Sequence, residues 1–278
     1  MVSRAGVAMG DDRGQIETDW ELTEDDLPPG SDPNQIAFEP REPDQSLLGF
    51  VPDEKRKLAT NDDPRSRSIV RILAFAPDEA SPRKAGTGIV IGSNMILTAG
   101  HVVHDPRPHA FGDKNKGYAA GVLLSSPIVP LGAAGSSRRF IAAPAWRISR
   151  NRAFDLAVIR LPALLPSLAE HLAPRSLPDE MVANRKIRVY GFPELDTRPF
   201  YGRGRCVGAD QGLLYHTADA TEGQSGGPVL FEVDGVPTLG AVHRAGVEET
   251  PSTVPPSCGS VRLNPSTLAL VDRMRAAL

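Results

Sequence analysis

Residues 223–228 read Gly-Gln-Ser-Gly-Gly-Pro, and this stretch decides the fold. Its glycines permit backbone conformations that other residues avoid, and they let a second chain approach the main chain closely. We expect the N–H groups of Gly223 and Ser225 to converge on one point, the arrangement that stabilises an oxyanion. The stretch therefore predicts a nucleophilic Ser225, although a glycine-rich turn before a strand is also a common structural device.

A base and a carboxylate for this serine lie upstream. A serine hydroxyl is a weak nucleophile near neutral pH, so it needs an imidazole to accept its proton and a carboxylate to orient that imidazole. Thr-Ala-Gly-His ends at His101, just past a predicted hairpin of strands at 89–91 and 95–97. Asp155 opens Asp-Leu-Ala-Val-Ile, the start of a buried-strand pattern. Each motif alone is weak, but together, in the order His, Asp, Ser, they predict a catalytic triad.

At these residues the sequence resembles the chymotrypsin-like serine proteases, in which the triad has the same chain order. The resemblance covers roughly residues 50–278. It implies an all-β fold of two antiparallel six-stranded β-barrels with the active site between them. It also implies a serine endopeptidase that cuts protein or peptide substrates through an acyl-enzyme and uses no cofactor.

The residues themselves add a secondary-structure prediction that agrees with this fold. Short β-branched runs are separated by turns rich in the 26 Gly and 26 Pro residues of the chain, which favours antiparallel β structure. At the end of the sequence, Asn264 is a good helix cap and Pro265 suits the first helical position. Apolar residues then recur at helical spacing. We expect a C-terminal helix there, packed on the second barrel.

Further segments resemble the bacterial glutamyl endopeptidases: 86–92, 189–193, 214–219 and 241–243. His243 matches the histidine that recognises glutamate in that branch, which implies cleavage after Glu. Asp219 lies six residues before Ser225, the offset at which trypsins hold the carboxylate that binds Arg or Lys, so a basic preference stays open. Thr221 is the candidate for the hydroxyl beside the specificity pocket, although its offset is imperfect.

The first 49 residues differ from the rest in charge. Residues 1–49 hold 12 acidic and 3 basic residues, a net charge of −9, whereas residues 50–278 hold 22 acidic and 28 basic residues, a net charge of +6. With five prolines, this acidic leader is expected to be extended or disordered in isolation. It is either a solvated tail or a pro-segment that inhibits the core in cis. The resemblance supports the second interpretation and places cleavage near Gly49/Phe50.

The two cysteines and the compartment are not decided by the sequence. Cys206 and Cys258 permit one disulfide or two free thiols. Residues 1–15 lack the basic start and apolar stretch of a secretory signal. That favours the cytoplasm, an atypical export route or a removed signal, whereas the resemblance suggests secretion.

Several other classes of function are not expected. No apolar run approaches the roughly 20 residues that cross a membrane. The histidines and cysteines match no metal-ligand spacing, and the basic residues are not interleaved with aromatic residues as in nucleic-acid-binding proteins. The alternative to an enzyme is a protease-shaped module that binds peptides without cutting them. Such modules usually lack a triad residue, and here none is missing. The oligomeric state stays open.

Overall fold

The computed structural model describes residues 56–278, except for 61, 78, 106, 108–109, 112–115, 167–168, 211 and 249–255. The acidic leader 1–49 and the expected cleavage point at Gly49/Phe50 lie outside the described residues.

The described chain is mostly β-structure with four α-helices. The strands are β1 (Lys57–Leu58), β2 (Ile69–Phe75), β3 (Pro82–Gly92), β4 (Met95–Thr98), β5 (Gly121–Ser125), β6 (Ser136–Ser137), β7 (Arg139–Ala142), β8 (Ala157–Arg160), β9 (Lys186–Gly191), β10 (Phe200–Ala209), β11 (Leu213–His216), β12 (Pro228–Val233), β13 (Val236–Glu248) and β14 (Ser257–Arg262). The helices are α1 (Gly100–Val103), α2 (Pro144–Ser149), α3 (Asp179–Val182) and α4 (Pro265–Ala277). Within the described residues, 3₁₀ turns cover Pro64–Ser68, Gly132–Ala134 and Arg152–Phe154.

The first barrel is an antiparallel sheet in the order β6-β5-β2-β3-β4-β8-β7. Only Arg138 separates β6 from β7, so the sheet curls until its two ends are consecutive in the chain and the barrel is nearly closed. The β3–β4 hairpin confirms the one predicted from the sequence. The two strands of this hairpin pack closely at Gly88, where an added Cβ would lie 2.4 Å from Cγ2 of Ile96.

The second barrel has the order β1-β10-β11-β14-β13-β12-β9. It closes because β9 also pairs along β10, from Gly191 opposite Phe200 to Lys186 opposite Arg205. The two-residue strand β1 pairs antiparallel with the first residues of β10, with Leu58 opposite Phe200. The predicted all-β architecture of two antiparallel barrels is confirmed.

The C-terminal helix α4 starts where the sequence predicts. The side chain of Asn264 accepts a hydrogen bond from the Thr267 N–H at 3.0 Å, and the Asn264 N–H donates to Oγ1 of Thr267 at 2.8 Å. This reciprocal capping box satisfies two backbone donors that the first turn would otherwise leave unpaired.

The expected position of α4 on the second barrel is wrong. The helix packs against β8 of the first barrel, where Leu270, Val271 and Met274 are buried in the apolar core. Arg139 and Arg160 of the first barrel donate to the carbonyl of Leu278. The reason is that helical periodicity identifies the apolar face of a helix without identifying the surface that covers it.

Among the described residues, no helix has the length and apolar character needed to cross a lipid bilayer.

Candidate active site

Two neighbouring strands of the first barrel bring His101 and Asp155 together. His101 lies in α1 directly after β4, and Asp155 follows a 3₁₀ turn just before β8. Because β4 and β8 pair with Thr98 opposite Ala157, the residues beyond these positions meet at one edge. Nδ1 of His101 lies 2.8 Å from Oδ2 of Asp155, and the His101 N–H donates to Oδ1 at 2.8 Å.

The two side chains of this pair differ in exposure. The Asp155 side chain is fully buried, while the His101 side chain is 22% exposed. A proton on Nδ1 satisfies the carboxylate and leaves Nε2 as a proton acceptor, as a general base requires. Gly100 is needed at the bend, because an added Cβ would lie 2.7 Å from Cδ1 of Trp146 and 3.0 Å from Oδ1 of Asp155.

The serine turn, residues 223–228, leads into β12 of the second barrel and is hydrogen-bonded to the first barrel. The Thr87 N–H donates to the Ser225 carbonyl at 2.8 Å, and Oγ1 of Thr87 donates to the Gly223 carbonyl at 2.9 Å. Gly226 has a φ of 90°. A Cβ there would lie 2.1 Å from the Thr87 carbonyl oxygen. The turn therefore requires glycine at position 226 both for its dihedral angle and for its closeness to β3.

Two amide groups of the turn are held in a fixed orientation. The carbonyl of Glu222 accepts from the Glu194 N–H at 2.9 Å, and the carbonyl of Gln224 accepts from the Gly227 N–H at 3.0 Å. Since a peptide group is planar, these bonds also fix the N–H groups of Gly223 and Ser225. Within the described part of the chain, neither N–H donates a hydrogen bond. They are thus available to an oxygen of a bound molecule.

The Ser225 hydroxyl donates to the main-chain carbonyl of Arg244 at 2.9 Å. No hydrogen bond joins it to His101 among the residues that the structure describes. The structure therefore brings His101 and Asp155 into contact, whereas the Ser225 hydroxyl is bonded to the Arg244 carbonyl instead. Arg244 was missed by the sequence reasoning, although it directly follows His243 within an otherwise apolar run.

His243 is 1% exposed and lies behind the serine turn on β13. Its N–H donates to the Gly227 carbonyl at 2.8 Å, and its ring centroid is 5.5 Å from that of the fully buried His216. His216 in turn lies 3.1 Å from Oγ of Ser260 through Nε2. Burial lowers the pKa of His216 to about 3, and burial together with His216 and Arg244 lowers the pKa of His243. Burial thus disfavours the charged form of both imidazoles.

The other two predicted pocket residues have different surroundings. Asp219 is partly buried on a segment packed against β10, where a Cβ on Gly202 would lie 1.9 Å from the Asp219 carbonyl oxygen. Thr221 is exposed, and its hydroxyl accepts from the Arg56 guanidinium. Arg56 also approaches Oε1 of Gln224 at 3.4 Å. Arg56, which precedes β1, thus contacts the serine turn, which the sequence did not indicate.

Cys206 and Cys258 are both free, buried thiols. Cys206 on β10 and Cys258 on β14 each pair with His216 on β11, from opposite sides. They are therefore two strand spacings apart, about 9–10 Å, beyond the roughly 7 Å that a disulfide tolerates between Cα atoms.

A carboxyl pair beside the serine turn also escaped the sequence reasoning. Burial, reinforced by the neighbouring carboxyl of Glu222, raises the pKa of Glu194 to about 7. The carbonyl of Glu194 accepts from Nη2 of the buried Arg71 at 2.9 Å. Only the position of Glu222 directly before Gly223 could have drawn attention to this pair.

Across the described ranges of the chain, there is no group of three or more His, Cys, Asp or Glu residues placed to hold a metal ion.

Comparison with known proteins identifies the family. Residues 86–236, which include His101, Asp155 and Ser225, match the model of the trypsin-like peptidase domain. The chain belongs to the trypsin-like peptidase family. As a member of that family it is a serine endopeptidase, which confirms the activity class predicted from the sequence. The sequence has no significant match among curated proteins.

Solved structures of serine proteases share the fold of this trypsin-like peptidase. A Glu endopeptidase solved in complex with MPD has a TM-score of 0.63 and 20% identity, covering 81% of this chain and 98% of that one. The protease Anisep from Arthrobacter nicotinovorans has a TM-score of 0.56 and 14% identity, covering 80% of this chain and 99% of that one. The thermostable serine protease AL20 from an extremophilic microorganism gives 0.53 and 13%, covering 77% and 98%. The chymotrypsin-like fold is thereby confirmed.

Proposed function

We propose that this trypsin-like peptidase hydrolyses peptide bonds with His101, Asp155 and Ser225 as its catalytic triad. The observation that carries the proposal is the buried Asp155 carboxylate, bonded at 2.8 Å to both Nδ1 and the N–H of His101. The serine turn supports it, because its two fixed N–H groups, which have no acceptor among the described residues, suit an oxyanion.

The proposed reaction begins when the Ser225 hydroxyl leaves the Arg244 carbonyl and turns toward His101. Nε2 of His101 accepts the hydroxyl proton as Oγ attacks the scissile carbonyl, and Asp155 stabilises the imidazolium. The N–H groups of Gly223 and Ser225 donate to the oxyanion, each contributing about 3–4 kcal/mol in the transition state. The imidazolium then protonates the leaving amine. Water, activated by the same imidazole, releases the acyl group.

Labelling with a serine-directed fluorophosphonate tests the triad. We expect covalent labelling of Ser225 that disappears in Ser225→Ala and falls sharply in His101→Ala, with both variants folded by circular dichroism. The substitution Ser149→Ala, on the exposed face of α2, serves as a matched control and leaves labelling unchanged. An unlabelled wild-type protein that still binds peptides would instead support the non-cleaving module.

We further propose that the peptidase prefers Glu before the scissile bond through His243. The Nδ1 atom of His243 is buried and has no hydrogen-bond partner in the described part of the chain. A neutral imidazole retains an N–H that can donate to a substrate carboxylate, while His216 and Ser260 extend the polar chain behind it. Asp219 favours the alternative, a preference for Arg or Lys, since a carboxylate attracts a cationic side chain.

A peptide library analysed by mass spectrometry distinguishes these preferences. Cleavage after Glu that is lost in His243→Val and kept in Asp219→Asn supports His243. Cleavage after Arg or Lys that is lost in Asp219→Asn supports the alternative and rejects the Glu preference.

We propose that residues 1–49 restrain this activity as a pro-segment. The leader carries a net charge of −9 against +6 for the rest of the chain. The chain that follows it contacts the serine turn through Arg56. We expect residues 50–278 to outperform the full chain in peptide hydrolysis, and incubation of the full chain to yield a new amino terminus near residue 50. Equal activity of the two forms, without processing, would reject the restraint.

A further inference from the structure

Arg244 contacts both ends of the proposed triad. Its main-chain carbonyl accepts the Ser225 hydroxyl at 2.9 Å. Its guanidinium Nη1 lies 3.9 Å from Oδ2 of Asp155, the same oxygen that lies 2.8 Å from Nδ1 of His101. One carboxylate oxygen is therefore approached by an arginine from the second barrel and by the imidazole from the first.

This arginine exerts its charge where water screens little. Its side chain is 11% exposed, and the Asp155 side chain is fully buried. Burial lowers the pKa of Arg244, with the carboxylate of Asp155 opposing that effect, but an arginine still carries its proton throughout the physiological range. At 3.9 Å the contact is too long for a hydrogen bond, whereas Coulomb attraction falls only as the inverse of distance.

We infer that Arg244 is a positioning residue that extends the activity of this peptidase to lower pH. The inference rests on the proposed triad. A fixed cation beside Asp155 attracts the carboxylate and repels an imidazolium at His101. Removing this cation therefore moves the acidic limit of the activity to higher pH. Among the described residues, Arg152 of the 3₁₀ turn and Tyr215 on β11 act on the charge of Arg244. His243 on β13, which also interacts with His216, faces both Arg244 and His101.

The test measures the second-order rate of fluorophosphonate labelling of the full chain from pH 4 to 9. In Arg244→Gln and Arg244→Met, which remove the charge but keep the main-chain carbonyl, we expect the midpoint of the acidic limb to rise by about one pH unit. Arg244→Lys retains the charge. Arg152→Gln removes an exposed neighbouring cation and is the matched control. We expect the midpoints of both variants to stay within about 0.3 pH unit of the wild-type midpoint. Arg244→Lys keeps the charge, and solvent screens the exposed charge that Arg152→Gln removes.

Folded neutral variants with an unshifted midpoint would overturn the inference. If a neutral variant is folded but not labelled, NMR can titrate the His101 imidazole instead, in Ser225→Ala with and without the Arg244 substitution. We expect the midpoint to rise by about one pH unit when the charge of Arg244 is removed. An unchanged midpoint would again overturn the inference. The two proposals fail separately. A wild-type protein that is not labelled at Ser225 rejects the triad, whereas a labelled wild type with an unshifted Arg244→Gln rejects only the role of Arg244.

Discussion

The two barrels supply halves of the site that differ in how completely their groups are bonded. On the first barrel, Asp155 and His101 are joined by two hydrogen bonds, and the carboxylate is sealed from solvent. On the second barrel, the Ser225 hydroxyl is bonded to a main-chain carbonyl, and the N–H groups of Gly223 and Ser225 are unpaired in the described structure. If these groups act as proposed, the acid–base half is complete before substrate arrives, whereas the nucleophile half keeps groups for substrate to engage.

The largest effect is expected from breaking the first half. Asp155→Asn removes the charge and favours the wrong imidazole tautomer, so we expect kcat to fall by about 10⁴-fold while the fold is retained. Steady-state hydrolysis of a peptide substrate measures the fall. Asp272→Asn, on the exposed face of α4, is the control and should leave kcat unchanged. A loss of less than tenfold in Asp155→Asn would show that the preformed pair is not the base.

The next largest effect is expected on stability, where the serine turn contacts β3 of the first barrel at Thr87. In Gly226→Ala the new Cβ meets the Thr87 carbonyl oxygen at 2.1 Å and the residue keeps a φ of 90°. We expect the free energy of unfolding to drop by at least about 3 kcal/mol, since both strain and backbone overlap oppose folding.

Gly235→Ala is the matched control for Gly226→Ala. Gly235 has a φ of 78°, with nothing within 4 Å of an added Cβ. It carries dihedral strain alone, so we expect a loss of about 1–2 kcal/mol in urea unfolding. Equal losses in the two variants would show that the contact with Thr87 does not hold the serine turn.

The smallest effect is expected on the pH dependence of stability, from the buried His216 of the second barrel. Burial lowers the pKa of His216 to about 3, so the folded protein leaves this imidazole neutral where the unfolded chain protonates it. At a pH above the pKa of an unfolded histidine, burying His216 costs no stability through its charge. As the pH falls below that pKa, the unfolded chain gains a proton that the folded protein does not take up, so the free energy of unfolding decreases. Between pH 6.5 and 5 the loss is about 2 kcal/mol.

We expect the unfolding free energy of His216→Gln to fall less than that of the wild type over this pH range, by the same 2 kcal/mol. His171→Gln, at an exposed position, should follow the wild-type pH dependence. Urea titrations at several pH values make the comparison. Parallel curves for wild type and His216→Gln would mean that His216 does not stay neutral in the folded protein.

Local patterns predicted the parts of this molecule that local chemistry controls. The β3–β4 hairpin, the Asn264 cap and the position of Asp155 before β8 all follow from short runs of sequence. The order of three motifs sufficed for the barrel fold, because that order restricts the choice of fold family.

Long-range packing determined what the sequence left open or missed. The apolar face of α4 was predictable, but its partner β8 was not, because periodicity carries no information about tertiary neighbours. The separation of Cys206 from Cys258 depends on β11 lying between their strands. The approach of Arg244 to Asp155 joins residues 89 positions apart through two different barrels, as no local pattern can.

The route of α4 has a thermodynamic consequence. The helix leaves β14 of the second barrel and lies on β8 of the first, and one apolar cluster includes Ile159 from the first barrel together with Val242 and Val261 from the second. Neither barrel can melt without exposing surface that belongs to the other. We therefore expect heating to unfold both in a single cooperative transition, with equal calorimetric and van't Hoff enthalpies.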